Sequence, residues 1–297
     1  VVLHNGLTMH YLSGGNAEVS RIKLLMPGGI AESPRPKLLE IANALLLEGT
    51  ASHSGEELSD IIEHNGAWTG VDTSTHHSAL SMYCLNDTYS TLLPLVREIV
   101  MSPAFDPEVT SHIVRNEAAR LEVEQRKVLY RAGCAMKDLV YGAEHPLSAV
   151  SSPDDLLELT PDMIASAHSR RLDPSGMHVY LSGLLSDRMI AETADMFSSI
   201  PPHEPYPLPP LKFPDHSSGE RVHVDMPESL QSGVRMMIPA IGRNHPDYVP
   251  LRIATIALGG YFGSRLMLDI REEKGLTYGI TASLLGYRHS GFISISS

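Results

Sequence analysis

The stretch that decides the fold is Gly259-Gly260-Tyr261-Phe262-Gly263-Ser264-Arg265-Leu266-Met267-Leu268-Asp269-Ile270-Arg271-Glu272-Glu273-Lys274-Gly275-Leu276-Thr277-Tyr278. Glycines bracket a short amphipathic helix. Leu266, Met267 and Ile270 fall on one apolar face at helical spacing. Ser264 is the expected N-cap and Gly275 the stop. Leu276 to Ile280 then reads as a strand. Arg271 lies in the last helical turn and Tyr278 just past the stop. The intervening turn would bring a guanidinium and a phenol to one end of a sheet, where they can hold a carbonyl oxygen or a peptide backbone. The same spacing also suits a capped surface helix whose Arg complements the helix dipole.

The residues Gly263-Ser264-Arg265-Leu266, followed by Ile270 to Tyr278, resemble the second homologous domain of the insulinase, pitrilysin and mitochondrial-processing-peptidase family. The resemblance implies that Arg271 and Tyr278 are the pair that grips substrate. It also implies tandem α+β domains of one fold, each an α/β sandwich. Further family-like stretches follow in order: His4-Asn5-Gly6-Leu7, Leu46-Leu47-Glu48-Gly49-Thr50 and Tyr141-Gly142-Ala143-Glu144-His145-Pro146.

Composition agrees with a globular chain of two domains. There are 297 residues, 42% hydrophobic and 20% charged, in the ordinary range for a chain that buries a core. No apolar run is long enough for a membrane span. A net charge of −12 argues against nucleic acid and suits a neutral or basic peptide. Cys84 and Cys134 form neither a metal-type pair nor a disulfide framework, so the compartment stays open between bacterial periplasm and cytoplasm.

Taken in order, the chain opens with strand-like runs around Asn5-Gly6 and from Val19 to Met26. A helix over Lys37–Glu48 follows. Ser54 to Glu57 is a capping box that starts a second helix. Residues 67–85 alternate as a strand pair turning near Ser74–Ser78. Helices are expected over Thr88–Met101 and over Pro107–Tyr141, the latter interrupted near Gly133. Ser152-Pro153 and Thr160-Pro161 open two short helices. Met177–Ser182 is a strand and Ser186–Ser198 a helix. The run from Pro201 to Pro214 is proline-rich and reads as an extended linker. After it the opening order recurs, with strands at Arg221–Val224 and Gln231–Ile238, then a helix near Pro246–Leu258. The repeat implies an internal duplication: a first domain over 1–200, the linker 201–214, and the first half of a second domain over 215–297. A half-domain would leave a sheet and a helix face uncovered, to be completed by more chain or by another subunit.

Active members of the family carry His-x-x-Glu-His on the first helix of the first domain. Two imidazoles on one helix face bind zinc, and the Glu activates water. Aligned through Leu46 to Thr50, those slots fall on Glu40, Asn43 and Ala44. Both histidines are missing, and a neutral amide replaces the Glu. Glu122 or Glu124 falls in the region of the distal carboxylate ligand. The expectation is therefore no metal in this chain and no peptidase activity alone. The chain would be a zinc-less subunit that holds peptide through Arg271 and Tyr278 and complements a zinc-bearing homologous partner. The alternative is a non-enzymatic scaffold or peptide-binding core subunit.

Overall fold

The computed structural model describes residues 1–208, 211–214, 219–287 and 290–297. It is a mixed helix-and-sheet protein that divides into two compact units: Val1–Ala119 with Ser151–Pro209, and Arg120–Val150 with Pro210–Ser297.

In the first unit the strands are β1 (Thr8–Ser13), β2 (Val19–Pro27), β3 (Trp68–Thr73), β4 (His77–Leu85) and β5 (His178–Gly183). They form one sheet in the order β1-β5-β2-β4-β3. β1 runs parallel to β5, and the other pairings are antiparallel. The alternation in β2 puts Ser20, Ile22, Leu24 and Met26 on the buried face, as a half-buried strand requires. The helices here are α1 (Leu38–Ala44), α2 (Gly55–His64), α3 (Tyr89–Met101) and the start of α4 (Pro107–Glu124). After α5 (Val128–Tyr141) come α6 (Pro153–Leu157), α7 (Pro161–Ser169) and α8 (Asp187–Ser198). The capping signals act as read: Ser54, Ser152 and Thr160 each accept from a backbone N–H in the first turn of the following helix, and Ser186 caps α8 in the same way.

The helix expected over Lys37–Glu48 is shorter. α1 ends at Ala44 and tightens into a 3₁₀ turn over Leu45–Leu47. The long helix breaks at 125–127, between α4 and α5, and Gly133 lies inside α5. A lone glycine costs a helix only about 1 kcal/mol, which packing overrides.

The second unit holds β6 (Arg235–Ala240), α9 (Tyr248–Gly259), β7 (Thr281–Gly286) and β8 (Gly291–Ser296). The sheet order is β6-β8-β7, all antiparallel. α5 packs with β6 in this unit. The strand expected at Arg221–Val224 does not form. Its four side chains are exposed, so it has no face to bury. Of the proline-rich segment, Pro209 and Pro210 lie outside the described residues.

Candidate functional site: helix α1 and the Arg271–Tyr278 segment

The motif slots sit on α1, in the first unit. Leu38, Leu39, Ile41 and Ala42 bury its apolar face. Asn43 is also inside, at 2% exposure. Its amide nitrogen donates to Thr73 Oγ1 (2.6 Å) and Ser78 Oγ (2.7 Å). Its Oδ1 accepts from Arg171 Nη2 at 2.9 Å. Arg171 is fully buried. Its other bonds go to Ser78 Oγ (2.8 Å) and His168 Nδ1 (2.8 Å), and its Nε has no partner among the described residues. His168 Nε2 lies 2.7 Å from the Val100 carbonyl. Since Arg171 can only donate, His168 must accept at Nδ1 and carry its proton on Nε2.

This cluster contains a cation whose hydrogen bonds all go to neutral groups. Burial pushes Arg171 down to about 10, against the opposing pull of the Tyr206 phenol. Burial, helped by the Arg171 charge, pushes His168 down to about 3. The ring is therefore neutral near pH 7.

Glu40 is half-buried and pairs with Lys37 Nζ at 2.7 Å. The same nitrogen lies 3.7 Å from Glu117 Oε1 on α4. Ala44 is exposed and offers no ligand atom. Glu122 instead pairs with Arg126 at 2.6 Å, and Glu124 pairs with Lys127. A zinc site needs three or four N, S or O ligands from the protein, and the three slots supply one carboxylate already held by an ammonium. Among the described residues no three His, Cys, Asp or Glu side chains gather as a metal would require. The residues present do not fit zinc.

Lys37, Glu117, His168 and Arg171 were not singled out by sequence reasoning. Arg171 follows Arg170 in a polar stretch and reads as surface. Only its place three residues after His168, on a turn ending α7, could have hinted at a shared partner.

The second candidate region lies wholly in the second unit. α9 ends at Gly259, where a Cβ would sit 2.5 Å from the Ala282 backbone nitrogen. Only glycine allows this approach of α9 to β7. The helix expected after it is a π-helix, Met267–Glu273, with Met267 buried. π-helical turns are rare and concentrate at functional sites. Ser264 does not cap it: the hydroxyl is buried without a partner among the described residues, and the Ser264 carbonyl accepts from Leu268 N at 2.9 Å. Gly275, at φ +62°, does end it, with Gly275 N on Arg271 O at 3.2 Å and Leu276 N on Ile270 O at 3.0 Å. Leu276–Ile280 is loop rather than strand, and β7 begins at Thr281. The left-handed glycine turns the chain out before pairing can start.

Arg271 stacks over the Phe262 ring, its Cζ 4.4 Å from the centroid. Its Nη1 meets Glu272 Oε1 at 2.6 Å. Tyr278 is 95% exposed, with no hydrogen-bond partner for its hydroxyl among the described residues. Phe262 also lines a groove of about 570 Å³ between α9 and β7, together with Arg252, Ile256, Tyr261, Ile280 and Leu284. A fixed guanidinium beside an apolar groove, with a free phenol nearby in sequence, has the chemistry to hold an extended peptide.

Residues 158–297 match the family profile described as the peptidase M16 inactive domain. Over those residues, somewhat under half of the chain, it is similar to the peptidase M16 family. The likeness read from Gly263 to Tyr278 therefore stands. An uncharacterized zinc protease of Mycobacterium leprae is 24% identical over 258 residues, covering 84% of this chain and 57% of that protein. A non-peptidase homolog of Helicobacter pylori is 21% identical over 257 residues, covering 85% and 59%. The chain thus spans under three-fifths of the length of these M16 relatives. Among solved structures, a peptidase M16 inactive domain from Pseudomonas fluorescens superposes with a TM-score of 0.89 at 23% identity, over 100% of this chain and 73% of that one. A protease from Helicobacter pylori gives 0.84 at 18% identity, over 100% and 73%. At these identities the M16 structures establish the fold alone. Among the described residues no helix is long and apolar enough to cross a membrane.

Proposed function

We propose that this chain is a zinc-less processing-peptidase-like subunit. It binds peptide through Arg271 and Tyr278 and complements a zinc-bearing homologous partner, on which the metal and its water reside. The observation that carries the reading is a contrast between two segments. On α1, motif slots 40 and 43 are each bonded to a side-chain cation, and slot 44 is Ala44. On the π-helix and the loop after it, Arg271 and Tyr278 keep their donor groups at the surface, beside a groove. The match of residues 158–297 to an inactive peptidase domain supports the same reading.

The tandem arrangement belongs to this proposal. The order β6-β8-β7 repeats β2-β4-β3 of the first unit, again with helices between the first and second strand in sequence. Two copies of one domain joined near 201–214 account for it.

A scaffold role is the second reading. It is favoured by the Arg271–Glu272 pair, which already occupies one donor of the guanidinium, and by the relative named a non-peptidase homolog. Reconstitution with a zinc-bearing homologous subunit separates the two. Arg271→Ala and Tyr278→Phe are each expected to lower kcat/KM by roughly 10²–10³, the usual cost of one transition-state donor. The losses should be non-additive if both groups hold one oxygen or one strand. Wild-type turnover by both variants in a verified complex establishes the scaffold.

A further inference from the structure

Two adjacent arginines end α7, and neither meets a carboxylate. Arg170 is the C-cap. Its side chain is exposed and makes no hydrogen bond or ion pair among the described residues. Arg171 is fully buried, and every group it bonds is neutral. A buried charge without a counter-ion is costly, and its field is screened less than that of a charge in water.

Tyr206, from the proline-rich segment, packs against this pair. Its hydroxyl donates to the Glu32 carbonyl at 2.8 Å. A Cβ at Gly28, φ +84°, would sit 3.0 Å from the Tyr206 ring and 3.1 Å from Arg171 Cδ. Ring and arginine stem therefore meet over a residue that must be glycine. Burial pushes the Tyr206 phenol up, and the charges of Arg171 and Arg170 pull against it.

Tyr206 also lines a cavity of about 450 Å³, together with Glu32, Pro34, Arg170, Pro207 and Leu208. All six residues belong to the first unit. The volume is that of a small-molecule site. Pro34, Pro207, Leu208 and the Tyr206 ring make its wall largely apolar. The Glu32 carboxylate is already engaged: Oε2 accepts from Gly29 N at 3.0 Å and Oε1 lies 2.8 Å from His76 Nδ1. It is 3% exposed. Among the described residues of the wall, Arg170 is then the charged group left to meet a ligand. Its planar fork of donors matches a carboxylate. The apolar remainder of the wall favours a ligand that buries an apolar stem.

We propose that this cavity binds a carboxylate carried on an aromatic or branched apolar stem, with Arg170 holding the carboxylate and the Tyr206 ring packing on the stem. A free aryl or alkyl acid presents that chemistry, and so does the C-terminal residue of a peptide. The site lies in the first unit and does not depend on the reading of Arg271 and Tyr278.

Calorimetric titration of the full chain with phenylacetate, and with its neutral isostere phenylacetamide, tests the proposal. Phenylacetate should bind at least about tenfold tighter, the usual return on a charge-assisted hydrogen bond. Arg170→Gln removes an exposed side chain without partners, so the fold should hold while the preference for the acid disappears. Absence of phenylacetate binding overturns the proposal. Equal affinity for acid and amide also overturns it, as does a preference for the acid that survives Arg170→Gln. N-acetyl-Ala-Phe, with its carboxylate at a peptide terminus, then names the source. Binding as tight as that of phenylacetate, with the same loss in Arg170→Gln, supports a peptide C-terminus as the occupant. Markedly weaker binding, with phenylacetate binding intact, supports a free acid in the same site.

Discussion

Arg171 donates to Asn43 Oδ1 at 2.9 Å in the core of the first unit. Asn43 is the slot that the sequence resemblance aligns with the family's water-activating Glu. The bond turns that slot into part of a buried polar cluster, with Thr73, Ser78 and His168 as its other members. In such a low-dielectric cluster, each hydrogen bond removed leaves a costly unpaired group.

The two partners should therefore differ in what their loss costs. Asn43→Leu leaves a fully buried guanidinium short of an acceptor, and an orphaned buried group costs more when it is charged than the about 1–3 kcal/mol of a neutral one. Arg171→Met removes the charge itself and orphans only neutral groups, a penalty of about 1–3 kcal/mol. Asn43→Leu is expected to be the more damaging in denaturant unfolding. The double variant should be less destabilised than the sum of the two.

His168 makes the fold sensitive to acid. Its ring is held down to about 3 in the folded chain, from an ordinary value of 6.5, by burial and then by Arg171. Between those values the unfolded chain carries a proton that the folded chain does not. Stability therefore rises with pH across this window and is lost on acidification from about pH 6.5 downward. One such proton gives a slope of up to about 1.4 kcal/mol per pH unit. His168→Gln keeps an amide able to reach Val100 and Arg171 but cannot titrate. Compared at pH 7.5 and pH 5, the parent should lose more unfolding free energy than His168→Gln. Equal losses would place the acid sensitivity elsewhere.

Much of this was legible in the sequence, for local reasons. Caps at Ser54, Ser152 and Thr160 are short-range hydrogen bonds, so sequence spacing suffices to find them. The alternation of β2 is fixed by burial of one face. What failed was non-local. Nothing within a few residues of Arg171 says that it ends beside Asn43, 128 positions away in the chain. Glu122 and Glu124 were placed near the distal ligand by spacing alone, which cannot show that each pairs with a cation a turn further along the chain, Arg126 and Lys127. The π-helix was invisible because its apolar face over Leu266, Met267 and Ile270 also fits an α-helix. The strand at Arg221–Val224 was read from alternation without knowing whether a partner strand exists.

The approach of α9 to β7 gives a structural prediction independent of function. A Cβ at Gly259 would meet the Ala282 nitrogen at 2.5 Å and the Ala282 Cβ at 2.6 Å. Backbone on one side and a buried strand residue on the other leave little room to yield. Gly259→Ala should destabilise the second unit by about 1–3 kcal/mol, the usual cost of overpacking. Gly275→Ala, at φ +62° with nothing near the would-be Cβ, should cost about 1 kcal/mol through backbone conformation alone. Thermal unfolding of both variants checks the order.

Phe262 offers the most specific test of whether Arg271 works on a ligand. The ring lies under the guanidinium at 4.4 Å and lines the groove between α9 and β7. An exposed cation–π contact is worth about 0.5–1 kcal/mol. If the ring positions Arg271 for a bound peptide, Phe262→Leu should lower kcat/KM in the reconstituted pair by roughly 2–5-fold, the kinetic equivalent of that energy. The leucine keeps the groove apolar, so groove binding by itself should change little. The effect should vanish in the Arg271→Ala background, where there is no guanidinium left to position. A ring that acted only as packing would give the same loss with or without Arg271. A loss that persists in the Arg271→Ala background would therefore assign Phe262 to the groove and remove its link to the guanidinium.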